Sequence, residues 1–186
     1  GVDIGRSDWE YIIGVEAEGL ATGMRFRPGQ QGTTNAVMLD CAFRNCGTAL
    51  HLDQLNGVGL SATACRFAGG RALHAAASFD TVAQFNTCTF TGSERAVALE
   101  GIGLLSFQNC RLEGTVEATD GQLALIDCDL TRGKPLVALG AAARRARLLG
   151  CRLDDPEGIR NDAVSGDVAI SHAPTGSTAL AWAPHP

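Results

Sequence analysis

A chain of 186 residues that is 45% hydrophobic is long enough to bury the core of one domain. Its formal charge of -5 argues against a nucleic-acid partner held through phosphates. No run reaches the roughly 18 consecutive apolar residues of a spanning helix, so no membrane insertion is expected.

The first stretch, Val2-Asp3-Ile4, alternates, with Val2 and Ile4 directed to one side. Met24 and Phe26 repeat that pattern after a second apolar stretch around Val15. From Cys41 onward the chain becomes a clear repeat. Cys41-Ala42-Phe43 returns as Cys65-Arg66-Phe67, Cys88-Thr89-Phe90, Cys110-Arg111-Leu112, Cys128-Asp129-Leu130 and Cys151-Arg152-Leu153. The steps between these cysteines are 24, 23, 22, 18 and 23 residues, within the period range of coiled repeat architectures.

Three short strands are expected in each repeat. The first carries apolar residues five and three places before the cysteine: Leu60 and Ala62, Ala83 and Phe85, Leu105 and Phe107, Leu123 and Leu125. This period of two is that of a strand with one buried side. A two-residue turn follows, as in Thr63-Ala64 and Gln108-Asn109. The cysteine and the Phe or Leu two places on make the second strand. A loop follows, often with glycine (Gly47, Gly69-Gly70, Gly92, Gly114, Gly133), and then the third strand, with inner pairs such as Leu50 and Leu52 or Val97 and Leu99. Val168, Ile170 and Ala173 fit a last repeat.

Three alternating strands cannot bury one face alone; coiling them so that equivalent strands stack does so. The expected fold is all-β: a right-handed, single-stranded parallel β-helix of about seven turns over residues 1–173. Residues 174–186, with Pro174, Pro184 and Pro186, are expected to form a tail or a cap that includes Trp182. A leucine-rich-repeat horseshoe is the alternative, but its signature and its helical segment are missing. The coil starts partway through a turn, so a lost upstream segment or a second chain is expected to cover its first end. The seven cysteines show no C-x-x-C spacing, and no metal site is expected. Stacked strands hold their Cβ atoms near 4.8 Å apart, beyond disulfide range, so free buried thiols are expected.

The units Phe107-Gln108-Asn109-Cys110-Arg111-Leu112 and Val37-Met38-Leu39-Asp40-Cys41-Ala42-Phe43 resemble the repeat of the pectate-lyase-like β-helix superfamily. Asn109, Asp40 and Asp127 share the column where that family often places a polar ladder. The resemblance implies an extracellular or cell-envelope protein that acts on a polysaccharide or oligosaccharide, with an acidic polymer the first expectation. It also implies that the strand after the glycine loop faces the ligand, and calcium would enter by this analogy alone. The family's activities run from polysaccharide lyase to glycoside hydrolase to non-catalytic tailspike, and its polygalacturonase-like motifs are present only as fragments, Asn161-Asp162-Ala163 and Asp154-Asp155.

On the third strand, alternation turns Asp3, Arg25, His51, His74, Ala98, Glu117, Ala138 and Arg160 outward. Asp53, Glu100 and Asp162 follow the second inner position of their strands. His51, His74, Asp53, Glu100 and Glu117 are the candidate catalytic residues, because imidazole moves protons near neutral pH and two carboxylates can serve as acid and base. Arg25, Arg160 and Asp162 are the candidate substrate-binding residues. The competing reading is a structural or adhesive β-helix on which these side chains are only solvated. Elsewhere, Arg144-Arg145-Ala146-Arg147 reads as a basic loop, and Arg66, Arg111, Asp129 and Arg152 as a solvated mixed-charge ladder.

Overall fold

The computed structural model describes residues 1–172, apart from positions 6, 31, 156 and 165. Ala173 and the 174–186 segment with Trp182 lie outside the described residues.

The chain winds as a right-handed parallel β-helix of about seven turns. The first turn is β1 (Val2–Ile4), β2 (Glu10–Ile13) and β3 (Glu16–Glu18). Next come β4 (Thr22–Phe26), β5 (Ala36–Leu39), β6 (Ala42–Leu52), β7 (Leu60–Thr63), β8 (Arg66–Ala75), β9 (Val82–Asn86) and β10 (Thr89–Leu99). The last turns are β11 (Leu104–Gln108), β12 (Arg111–Glu113), β13 (Val116–Ala118), β14 (Gln122–Ile126), β15 (Asp129–Thr131), β16 (Val137–Leu139), β17 (Arg145–Leu153), β18 (Ile159–Asn161) and β19 (Asp167–His172).

Three faces result. The first stacks β2, β5, β7, β9, β11, β14, the start of β17, and β19. The second carries β3, the early parts of β6, β8 and β10, then β12, β15 and the end of β17. The third carries β1, β4, the late parts of β6, β8 and β10, then β13, β16 and β18.

Each column of inner residues fills the axis of the coil. Phe67 and Phe90 stack with centroids 5.1 Å apart, as do Phe85 and Phe107. Phe85 meets Phe90 edge-on at 5.1 Å, joining the two stacks into one aromatic block. The six repeat cysteines and Cys46 are buried free thiols. Val2 and Ile4 keep the inward register of Met24 and Phe26, but Val2 stays exposed because β1 is paired on one side only among the described strands.

The turn before each cysteine has one conformation. Gly14, Asp40, Ala64, Thr87, Asn109, Asp127 and Gly150 all precede the cysteine column and all have φ between 49° and 66°. This left-handed geometry suits Gly, Asn and Asp and tolerates few other residues. It also explains the polar column of Asp40, Asn109 and Asp127. The thiols then meet backbone that the bend leaves open. Cys110 Sγ lies 3.4 Å from the Phe85 carbonyl and 3.3 Å from that of Gln108, and the Cys65 amide donates to Cys88 Sγ at 3.4 Å.

Three expectations are corrected. The glycine segments after Cys41, Cys65 and Cys88 are not loops; β6, β8 and β10 run through them as bent strands, with register shifts between Phe43 and Cys46 and between Gly92 and Arg95. Small residues allow this, since a Cβ on Gly69 would sit 2.1 Å from the Cys46 carbonyl of the turn before. Residues 145–147 are not a loop but the start of β17. In the last turn His172, not Ala173, comes opposite Cys151, because β19 passes the bend with one residue fewer.

Candidate functional site

The outward column of the third face follows the expected register: Asp3, Arg25, His51, His74, Ala98, Glu117, Ala138 and Arg160 are successive partners. Parallel stacking in register is what brings residues about 23 apart in sequence into lateral contact. Ala98 and Ala138 point outward yet are buried.

Five candidates form one cluster. Arg25 Nε donates to Asp53 Oδ2 at 2.6 Å, and His51 Nε2 lies 2.9 Å from Asp53 Oδ1. His51 and His74 sit edge to face with ring centroids 4.7 Å apart. His74 Nε2 is 3.1 Å from Glu100 Oε1. That contact lacks hydrogen-bond alignment, and the buried nitrogen has no partner.

The electrostatics assign roles within the cluster. Burial lowers the His51 pKa from 6.5, and the nearby His74 and Arg25 reinforce this against the opposing Asp53 carboxylate. Burial works to raise the Asp53 pKa, but hydrogen bonds and charge from Arg25 and His51 outweigh it and hold Asp53 below its ordinary 3.8. At neutral pH Asp53 is therefore ionised and His51 uncharged, so His51 Nε2 carries the proton and donates it. Both Asp53 oxygens are occupied. Asp53 thus serves as a positioning residue for Arg25 and His51, and a proton-transfer role for it fits poorly.

Glu100, in contrast, is 44% exposed. With Arg95, Ala98, Leu99, Glu117 and Thr119 it lines a depression of about 350 Å³. Arg95 Nε contacts Glu117 Oε2 at one edge. Ala98 and Leu99 form the floor, and Thr119 Oγ1 is turned to the Leu99 carbonyl at 3.2 Å. Arg95 escaped the sequence reading, and Thr119, although assigned to an outward column, was not among the candidates. Arg95 lies in the irregular bend of β10, where counting by two fails; Thr119 occupies the column of Asp53 and Glu100 and was legible there.

The remaining candidates stand apart. Glu117 is three rungs from His51, roughly 14 Å along the coil. Arg160 and Asp162 pair with each other at 3.2 Å, a further two rungs on. Among the described residues no group of three or more His, Cys, Asp or Glu is arranged to hold a metal ion.

Other charged features are satisfied internally. Arg144 pairs with Asp120, and Arg145 and Arg147 with Asp167. In the second-face ladder Arg152 pairs with Asp129, and Arg111 with Glu113. A wider groove of about 640 Å³ lies over the bends, lined by Gly69, Gly70, Gly92 and Gly114 with Glu113 and Arg132 at its side.

No protein-family model matches the chain, and neither does any curated protein or solved structure.

Proposed function

We propose that this chain is a glycan-binding β-helix of the pectate-lyase-like type, with its ligand lying along the outer face of β4, β6, β8, β10 and β13. The observation that carries this reading is the depression over Ala98. It is of the size expected for a small-ligand site. It is bordered by the exposed Glu100 and by Glu117 on adjacent rungs, and Glu100 in turn lies beside the unpartnered, buried His74 nitrogen. A sugar hydroxyl near Glu100 would meet both an acceptor and, once Glu100 swings aside, an imidazole nitrogen.

Carboxylates on two sides of a bound sugar are what glycoside hydrolysis requires. Cleavage is assigned to Glu100 with Glu117, and His74 is the neighbouring imidazole, 3.1 Å from Glu100 Oε1. The arginines favour a neutral polymer over an acidic one. Arg25, Arg95 and Arg160 already lie against Asp53, Glu117 and Asp162, which leaves each with little charge for a uronate. The alternative, a structural or adhesive β-helix, draws on Asp53, whose contacts to Arg25 and His51 tie adjacent turns together without any ligand.

NMR titration with neutral and uronate oligosaccharides tests the reading. Ala98→Phe fills the depression and is expected to abolish binding with the thermal unfolding midpoint little changed. Glu100→Gln is expected to retain binding and lose turnover. Undiminished binding by a folded Ala98→Phe protein would overturn the proposal.

A further inference from the structure

The first face is built unlike the other two. Two of its outward columns carry, over six consecutive rungs, Tyr11 and Ile13, Val37 and Leu39, Ser61 and Thr63, Gln84 and Asn86, Ser106 and Gln108, and Ala124 and Ile126, and a shorter third column holds Val82, Leu104 and Gln122 before Arg145. None of the twelve in the two longer columns is charged. The outward positions of the second and third faces carry Glu16, Arg44, Arg66, Arg111, Glu113, Asp129, Arg152, Arg25 and Glu117. A seventh rung adds Arg147 and Leu149. Further charges close to the face are Glu10 at the start of β2, Arg145 on the seventh rung, and Asp40 and Asp127 at the rim in the left-handed turn.

The polarity along these rungs is symmetric about the middle rung except at the charged Arg147, which stands in the place corresponding to Tyr11. Two apolar rungs, three rungs of hydroxyls and amides, and an apolar rung then Arg147 with Leu149 follow one another, centred on Gln84 and Asn86 of β9. Tyr11 and Ile13 are 67% and 63% exposed, and Trp9 beside Tyr11 is 46% exposed with its ring 6.1 Å away. Large apolar side chains left in water in this way mark an interaction surface.

The geometry points to a second copy of this chain as the occupant, docked face to face about a two-fold axis that lies along β9. Such an axis reverses the coil direction. Val37 and Leu39 then meet Ala124 and Ile126, Ile13 meets Leu149, and Tyr11 receives Arg147 over its ring. Ser61 and Thr63 face Ser106 and Gln108. Gln84 and Asn86 face their own symmetry mates, where an amide can donate and accept at once. Apolar residues then meet apolar ones towards the ends and polar residues meet polar ones at the middle, with the two sheets about 10 Å apart. Aligning the coils in the same direction would instead crowd Tyr11 and Ile13 at one end and leave a gap over Ala124. Seven rungs about 4.8 Å apart and strands about 15 Å long give about 500 Å² per copy and about 1,000 Å² in all. This meets the lower bound of a specific interface. The inference is independent of the glycan reading.

Sedimentation equilibrium on the whole chain tests it. Wild type is expected to dimerise reversibly at micromolar to high micromolar concentration. Gln84→Lys places two like charges on the axis and is expected to give a monomer with an unchanged circular dichroism spectrum. Arg66→Glu on the second face is expected to leave the dimer intact. Spin labels at Tyr11→Cys are expected about 30 Å apart across the dimer, and at Asn86→Cys about 10 Å. A wild-type monomer at high micromolar concentration overturns the inference. So does a dimer indifferent to Gln84→Lys, a short separation between labels at position 11, or a monomer whose first-face resonances move only with added oligosaccharide.

Discussion

His51 and His74, 23 residues apart in sequence, stand on adjacent rungs with ring centroids 4.7 Å apart, edge to face. Their carboxylate partners differ: Asp53 is pinned by Arg25, and Glu100 is exposed. The cluster therefore responds to pH and to substitution in separable ways.

The pH dependence of stability follows from His51. Its folded pKa lies below 6.5, so as pH falls through that value the unfolded chain takes up a proton that the folded chain refuses. More protons bound in the unfolded state means that stability rises with pH. The expected outcome is a loss of stability from pH 7 toward pH 5 that His51→Gln reduces. Asp53 acts in a lower window. Its pKa is depressed below 3.8, so its contribution is intact above that value and is lost as pH falls through its folded pKa. Denaturant melts across pH, with an NMR titration of the His51 ring, measure both.

Asp53→Asn removes the charge that holds Arg25 and His51. Arg25 is 42% exposed and can turn to solvent, so the expected cost is modest, about 1–2 kcal/mol. The His51 pKa is expected to fall further, because the carboxylate that favours its charged form is gone. A rise in that pKa would show that the contact assigned here does not govern the ring.

The thiol ladder predicts chemical silence. All seven cysteines are buried, so a thiol reagent is expected to find none in the native protein and seven after denaturation. Cys110→Ala loses both packing volume and the contacts to the Phe85 and Gln108 carbonyls, at an expected cost of about 2 kcal/mol. Cys110→Ser keeps a donor and is expected to retain those contacts, which a comparison of urea midpoints resolves.

The left-handed turn column gives a test of opposite signs. Ala64 has φ 56°, and Ala64→Gly is expected to stabilise by up to about 1 kcal/mol. Asn109→Val at φ 51° is expected to destabilise by about 1–2 kcal/mol. Gly150→Ala is also expected to destabilise, since at φ 66° an added Cβ is strained. The same urea midpoints rank all three.

Much of this was readable before any coordinates. The cysteine ruler placed Arg25, His51 and His74 in one outward column, and they are successive partners in the sheet. It failed at the bends, where β6, β8 and β10 continue as strands and Arg95 slips out of phase to reach Glu117. It also gave Asp53 and Glu100 equal standing, although one is consumed by two partners and the other is exposed.

The division has a physical basis. Inside and outside alternate with a period of two set by the backbone, so Cys41, Cys65, Cys88, Cys110, Cys128 and Cys151 were enough to fix the coil, its core and its outward columns. Which outward neighbours touch is a different matter. That depends on side-chain reach across a gap of about 4.8 Å and on how each bend rotates its strand, both set by turns distant in sequence. Only the tertiary structure could decide that Arg25 neutralises Asp53 and that Glu100 is left beside His74 over Ala98.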